Sequence, residues 1–562
     1  MEMTGAELII QLIARQGIGT IAGVPGGANL PIYDALYRYQ KIRHVLVRHE
    51  QGAGFIAQGM ARTTGLPQVC FATSGPGATN VLTAIADAKL DSVPVVCVTG
   101  QVPTALIGTD AFQEVDTFGL SLPITKHNYL VRSADDLLRI IPEAFRIAMS
   151  GRPGPVLIDV PKDVQLQRVV FDAWPAPGQR ETPPAFDTSD LRQAARMIAT
   201  ARRPILYMGG GVLQSDAAST AVALAEKAAI PVVTTLMGLG TISTTHPLCM
   251  GMLGMHAAVY TNLALEKCDL LIAAGVRFDD RATGRITEFC PNAQVVHIDI
   301  DACELHKLRR AHVGILGDAG QVLGALFPLI PEDDRADWHA AIGDLKASYP
   351  PDAVDEKRQM SAPALIKCVS RVVGDEAIVV TDVGQHQMWT AQIYPFVRPR
   401  QFLTSGGLGT MGFGLPTAIG AALAHPDRQV VCISGDGSMM MNIQELATVA
   451  EEEIDLKILL LDNNALGLVH QQQNLFYGGR VYASRFRRPV DFVTIARGFG
   501  IKAEELSAGT DPHRALAMAF AQKGPVLIHA AIDADEMVYP MVPPGAANRE
   551  MIRDHAERRL NA

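Results

Sequence analysis

The feature that most constrains the fold is a recurrence of short, wholly apolar runs separated by stretches with helical spacing. Examples are VVCVTG (95–100), VLIDV (156–160), ILYMGGG (205–211), LLIAAG (270–275), VVCIS (430–434) and LKILLL (456–461). A strand with no polar face must be covered on both sides, which is the pattern of parallel sheets between helical layers. The segments 174–184 (WPAPGQRETPP) and 347–359 (ASYPPDAVDEKRQ) read as linkers. The chain is therefore read as α/β, with three doubly wound parallel-sheet domains at 1–173, 185–346 and 360–540 and a tail at 541–562. Its 562 residues are too many for one core. The pentapeptide GPVLI closes the first block at 154–158 and recurs at 524–528, as expected if the first and third blocks share a fold.

Composition excludes several classes. A net charge of -9 argues against a nucleic-acid partner. No run of 18 apolar residues offers a membrane span. The opening MEMTGAELII lacks the basic start and apolar core of a secretion signal. The 8 cysteines form no CxxC pair, which argues against a zinc site or a disulfide framework. Together these predict a cytoplasmic protein with no membrane partner.

The strongest motif lies in the third block. Gly435-Asp436-Gly437-Ser438 follows the strand VVCIS, and Asp462-Asn463-Asn464 ends the next strand. One strand–helix–strand unit separates Asp436 from Asn463, so both emerge at one sheet edge, where open α/β sheets bind ligands. Ser438 is expected to cap a helix with Ile443, Leu446, Ala447 and Ala450 on one face. A carboxylate, an amide oxygen and a backbone carbonyl suit magnesium, which draws its remaining ligands from phosphates and water. The flanking glycines let backbone approach those phosphates. In the first block, HVLV (44–47) runs into Arg48-His49-Glu50, which places Glu50 at a strand-to-helix turn. In the middle block, ILYMGGG suits a nucleotide diphosphate.

The GDGS…NN pattern resembles the metal–diphosphate motif of thiamine-diphosphate enzymes. That resemblance implies Asp436, Asn463 and the carbonyl of Ala465 as Mg2+ ligands. It makes Glu50 the carboxylate that bonds the pyrimidine ring and favours its imino tautomer. The first and third domains would then have the thiamine-diphosphate-binding fold, and the central one a Rossmann-like fold. Further stretches resemble the acetohydroxyacid synthase catalytic subunits: RHEQGAGFIAQGMAR (48–62), GQVPTALIGTDAFQE (100–114), SGRPGPVLIDVPKD (150–163), GMLGMH (251–256), RFDDR (277–281), TDVGQHQMW (381–389) and SGGLGTMGFGLP (405–416).

The resemblance implies carboligation. One pyruvate is decarboxylated, and its two-carbon unit joins a second pyruvate or 2-ketobutyrate, a step in branched-chain amino acid synthesis. It assigns Gln113 near the reacting atoms, Lys162 near the channel mouth, and Gly27 and Ala28 to the loop that faces the cofactor from the partner subunit, and so counts Glu50, Gln113, Gly27 and Lys162 as catalytic. Gly384, Gln385, His386 and Gly409 are assigned to the cofactor, and Met411 wedges it into a bent shape. It also implies FAD, in a structural role, held by Arg152, His256, Arg277, Asp299 and Asp318. A homodimer or tetramer, with thiamine diphosphate between subunits, and a small regulatory subunit follow from the family. The tail is expected to fold over the active site.

One departure bears on specificity. The family has a tryptophan in the string after the second asparagine; here that string reads LGLVHQQQNLFY, with Gln472 at the tryptophan position. The HQQQ variant resembles the enterobacterial isozyme I type and implies near-equal use of the two acceptors. A pyruvate oxidase, a 2-keto acid decarboxylase and a non-catalytic homologue are the alternative readings.

Overall fold

A computed structural model describes residues 1–350, 354, 358–507 and 509–554. Much of the second linker read from the sequence, and the tail beyond 554, lie outside the described residues.

The apolar runs form three six-stranded sheets, and all strand pairs within them are parallel. The first is built from Thr20–Gly23, Arg43–Leu46, Gln68–Ala72, Val95–Gln101, His127–Leu130 and Val156–Pro161. Numbered along the chain, its spatial order is 2-1-3-4-6-5. The third comprises Ile378–Thr381, Phe402–Leu403, Val430–Gly435, Leu456–Asp462, Lys502–Leu506 and Val526–Ala531, in the same 2-1-3-4-6-5 order. The two copies of GPVLI enter the sixth strand of each sheet, the same topological place. The middle sheet runs Pro204–Met208, Val232–Thr234, Cys249–Met252, Leu270–Ala274, Gln294–Asp299 and Val313–Leu316. Its order, 3-2-1-4-5-6, is that of dinucleotide-binding sheets. No helix or strand lies between Val170 and Thr188. A short antiparallel pair, Glu2–Thr4 with Arg168–Val170, closes the first domain.

The first and third domains meet through equivalent helices. Each follows the second strand of its sheet: α1 (Glu50–Thr64) and α2 (Gly414–Ala424). A Cβ on Gly59 would stand 2.1 Å from the Thr417 carbonyl oxygen, and one on Gly420 2.1 Å from that of Ile56. Only glycine permits this backbone-to-backbone crossing. Phe55 and Phe413 meet edge to face at 5.3 Å beside it, in one core shared by both domains. Consequently α1 is buried on every face from Gly52 to Thr63. His49 caps its start by accepting from the Gln51 N–H. Gly65 ends it at φ 73°, where a Cβ would be strained. Among the described residues, no helix is long and apolar enough to cross a membrane.

Candidate functional site

A cavity opens at the carboxyl edge of the third sheet. Gly384, Gln385, His386, Gly409, Met411, Gly435, Asp436, Gly437, Ser438, Asn463 and Ala465 all line it. These are all the residues between 384 and 465 that the sequence assigns to cofactor or metal. The parallel strands explain the convergence: Val430–Gly435 and Leu456–Asp462 are neighbours in register, so the residues following them share an edge.

Asp436 is 4% exposed and accepts from the Ala465 N–H at 3.0 Å. Burial, and then the charge of Asp462, hold its carboxyl well above the usual range. A carboxylate kept out of water in this way is a strong site for a cation. Asn463 Nδ2 donates to Gln385 Oε1, which turns the amide oxygen away from that bond. His386 is buried with Nε2 unpartnered, and burial lowers its pKa to about 3. It is a neutral imidazole with one ring nitrogen still to be satisfied. Among the described residues no three His, Cys, Asp or Glu side chains cluster to hold a metal. One carboxylate with amide and carbonyl oxygens is a hard, all-oxygen donor set, which fits a magnesium ion that also takes phosphate oxygens.

Ser438 departs from the expected cap. It sits inside a one-turn helix, Asp436–Met439, and its hydroxyl donates to the Val383 carbonyl at 2.7 Å. Asp382 had no assigned role, yet it shapes the wall. It accepts from the Gly412 N–H at 2.8 Å and the Gly414 N–H at 3.0 Å, which pins the loop carrying Met411. Its only signal in sequence is a carboxylate directly after a strand, as at Asp436. Met411 reaches the Gly-Asp-Gly turn: a Cβ on Gly437 would lie 3.5 Å from its Cε.

The four residues assigned to catalysis all follow strands of the first sheet: Gly27 after the first, Glu50 after the second, Gln113 after the fourth and Lys162 after the sixth. Glu50 is the first residue of α1, and Asn80 donates to its Oε2 at 2.9 Å. A Cβ on Gly77 would lie 3.3 Å from Glu50 Oε1, and one on Gly75 2.9 Å from Gln113 Cβ. Thus the turn 73–77 sits between Glu50 and Gln113. Gln113 adopts φ 61° in a loop whose Glu114 accepts from the Thr109 and Ala111 N–H groups. Ala28 is buried, and its carbonyl accepts from Gln165. Lys162 is half-buried at the start of a short helix. None of these residues lines the third-domain cavity, whose walls come from residues 383–532 alone.

The middle sheet has a second cavity, at the switch point of its strand order. Arg152, Arg277, Asp299 and Asp318 line it, with Gly210 and Gly211 of the triple glycine. Gly211 is needed for packing, since a Cβ there would meet Gly275 Cα at 2.5 Å. Asp318 caps the helix Ala319–Leu326. Burial pushes Asp299 up to about 6. His256 is not on this wall. It is buried, and Nδ1 meets the Pro540 carbonyl at 3.0 Å. The tail also differs from expectation. Its described part, 541–554, runs along the middle domain, where Ala547 bridges Gly284 and Asn548 donates to the Ala282 carbonyl. Backbone groups left open by the 281–285 turn hold it there rather than over the cofactor cavity.

Gln472 is half-buried on helix α3 (Gly467–Phe476). Leu468 and Val469 of that helix line the third-domain cavity, and Gln472 is four and three residues on, over the same face.

Comparison with known proteins resolves what this geometry serves. Thiamine pyrophosphate enzyme models match in all three domains: the N-terminal TPP binding domain at 3–120, the central domain at 191–326 and the C-terminal TPP binding domain at 382–530. The isozyme 1 acetolactate synthase large subunit of Escherichia coli is 56% identical over 98% of this chain and 97% of its own. The chain belongs to the acetolactate synthase large subunits. The isozyme 2 large subunit of the same organism is 47% identical over 98% of this chain and 99% of its own. The Corynebacterium glutamicum large subunit is 46% identical over 98% and 90%. As an acetolactate synthase large subunit, the chain is a thiamine-diphosphate transferase of branched-chain amino acid biosynthesis. The two equivalent sheets are its N- and C-terminal cofactor domains, and the 3-2-1-4-5-6 sheet is its central domain.

Proposed function

We propose that this acetolactate synthase large subunit builds its active site from two copies of the chain. The third domain of one copy supplies the cavity holding thiamine diphosphate and Mg2+, and the first domain of the other supplies Glu50. The carrying observation is the split itself: every residue assigned to the diphosphate and metal lines one cavity, and Glu50 lies outside it. Asp436, Asn463 and Ala465 would hold the magnesium. The backbone at the start of the helix Gln385–Ile393 and the glycines at 384, 409, 435 and 437 would face the phosphates. Glu50, oriented by Asn80 at one oxygen, has the other for a proton shared with the pyrimidine nitrogen. Gln113, Gly27 and Lys162 stand at the same sheet edge and would border the reacting atoms. When bound, thiamine diphosphate supplies the electron sink that 2-keto acid decarboxylation needs.

FAD is assigned to the middle cavity. The glycine turn, strand order and lining arginines suit a dinucleotide, and Asp299 and Asp318 suit its hydroxyls. The domain limits are placed at 1–173, 185–346 and 360–540. The substrates are pyruvate as donor and pyruvate or 2-ketobutyrate as acceptor. The partner is a small regulatory subunit, which the designation large subunit implies. The compartment is the cytoplasm. Gln472 beside Leu468 and Val469 supports near-equal use of the two acceptors, because an amide replaces an apolar wall against the extra methyl.

The test is product analysis with purified protein, thiamine diphosphate, Mg2+ and FAD. Pyruvate alone should give 2-acetolactate, and a mixture with 2-ketobutyrate should also give 2-aceto-2-hydroxybutyrate. Acetaldehyde as the main product would replace the reading with a decarboxylase. Acetate or acetyl phosphate would replace it with an oxidase.

A further inference from the structure

This inference rests on the magnesium reading above. Asn463 ligates a cation only through its amide oxygen, so its amide must face one way. Its Nδ2 donates to Gln385 Oε1 at 3.1 Å, leaving Oδ1 for the cavity. Gln385 is oriented in turn by what its own Nε2 donates to: Gln471 Oε1 at 2.9 Å and the Glu536 carbonyl at 2.9 Å. Gln471 is wholly buried and straddles one residue's main chain. Its Oε1 accepts from the Val538 N–H at 2.8 Å, and its Nε2 donates to the Val538 carbonyl at 2.8 Å. Main-chain groups cannot exchange donor for acceptor. A flipped Gln471 would set its NH2 against the Val538 N–H and the Gln385 NH2 together. Orientation is therefore dictated at Val538 and passed along two buried amides to Asn463. The relay is sealed at Gly467, where a Cβ would stand 2.1 Å from Gln385 Oε1.

We propose that Gln471 is a positioning residue that sets the metal-ligating face of Asn463 through Gln385. Gln385 then serves the metal through its side chain, rather than touching the diphosphate with it. Outer-shell partners of this kind change metal affinity by about 10–100-fold when removed.

The test titrates Mg2+ into metal-free, FAD-loaded full-length protein at fixed thiamine diphosphate. It follows the change in tryptophan fluorescence, to which Trp389 in the cavity wall contributes beside Trp174 and Trp338 elsewhere. Gln471→Met keeps the volume without the amide. It should raise the apparent Mg2+ dissociation constant about 10–100-fold, with kcat returning at saturating Mg2+. Gln471→Glu, protonated in this buried position, keeps an acceptor for Gln385 and an O–H donor for the Val538 carbonyl, and should shift the constant less than Gln471→Met does. Gln473→Leu is the control. It lies on the same helix but bonds the Tyr482 backbone and Ser484, and it should leave the constant unchanged. An unchanged constant in Gln471→Met overturns the proposal. So does an equal shift in Met and Glu variants, or a kcat loss that Mg2+ does not restore. Thiamine diphosphate binding that ignores Mg2+ in the parent protein would instead overturn the magnesium reading.

Discussion

The first and third domains have the same strand order and pack on each other through equivalent helices, yet their carboxyl edges carry different chemistry. After its third and fourth strands the third domain places Asp436 and Asn463. At the same two points the first domain places Thr73-Ser74-Gly75 and Val102-Pro103, with no metal donor of comparable kind. After the second strand the roles reverse: the first domain has Glu50, and the third has the loop carrying Met411. One topology thus supplies a cation-and-phosphate site in one copy and a proton-handling carboxylate in the other. The fold sets where side chains emerge, and the residues at the strand ends decide what they do.

The sharpest way to break this comparison is to remove one member of each pair. Asp436→Ala should abolish Mg2+-dependent thiamine diphosphate binding, and turnover with it, by about a thousandfold or more. Glu50→Gln should lower kcat by about 10²–10⁴ while cofactor affinity, followed by fluorescence, stays near the parent value. Equal loss of binding in both variants would erase the distinction between the domains.

A smaller effect is expected at the acceptor wall. Gln472→Trp should raise the preference for 2-ketobutyrate over pyruvate in a competition assay by about 10–200-fold, the worth of one methylene in an apolar pocket. A ratio unmoved by the change would remove Gln472 from the acceptor site.

The smallest effect concerns the scaffold of the first domain. Asp159 is buried beneath the same sheet edge, bonded by Thr99 and Gln101, and burial pushes it up to about 7 from the ordinary 3.8. A raised folded pKa favours the protonated folded form. That contribution is complete below about 3.8 and is lost as pH rises through about 7. Asp159→Asn lacks this titration. Its Tm relative to the parent should therefore rise by a few degrees between pH 5 and pH 8, checked by thermal unfolding at both. A constant Tm difference would show that Asp159 does not titrate in this window.

The sheets were legible because every apolar run is a central strand whose periodicity is local. The metal motif was legible because Asp436 and Asn463 lie on adjacent parallel strands, where sequence spacing alone implies a common edge. What escaped depends on contacts between distant residues. Gln471 gives no sign that it holds Val538, nor Arg62 that it pairs with Asp87 and Asp91 under the loop that Ser405 opens. Ser438 fits a cap motif, but its hydroxyl found the Val383 carbonyl in another strand–helix turn. The described part of the tail, 541–554, followed backbone groups at 281–285 that no pattern in its own residues announces.

The central claim is a site shared between two copies, and complementation tests it most directly. Glu50→Gln and Asp436→Ala chains are each inactive, but a mixed dimer holds one site with both residues intact. Co-expressed and purified together, they should regain about a quarter of parent activity, since half the dimers are mixed and each has one of its two sites restored. Activity no greater than that of the separate variants would contradict the account and place Glu50 and Asp436 in the same site of one chain.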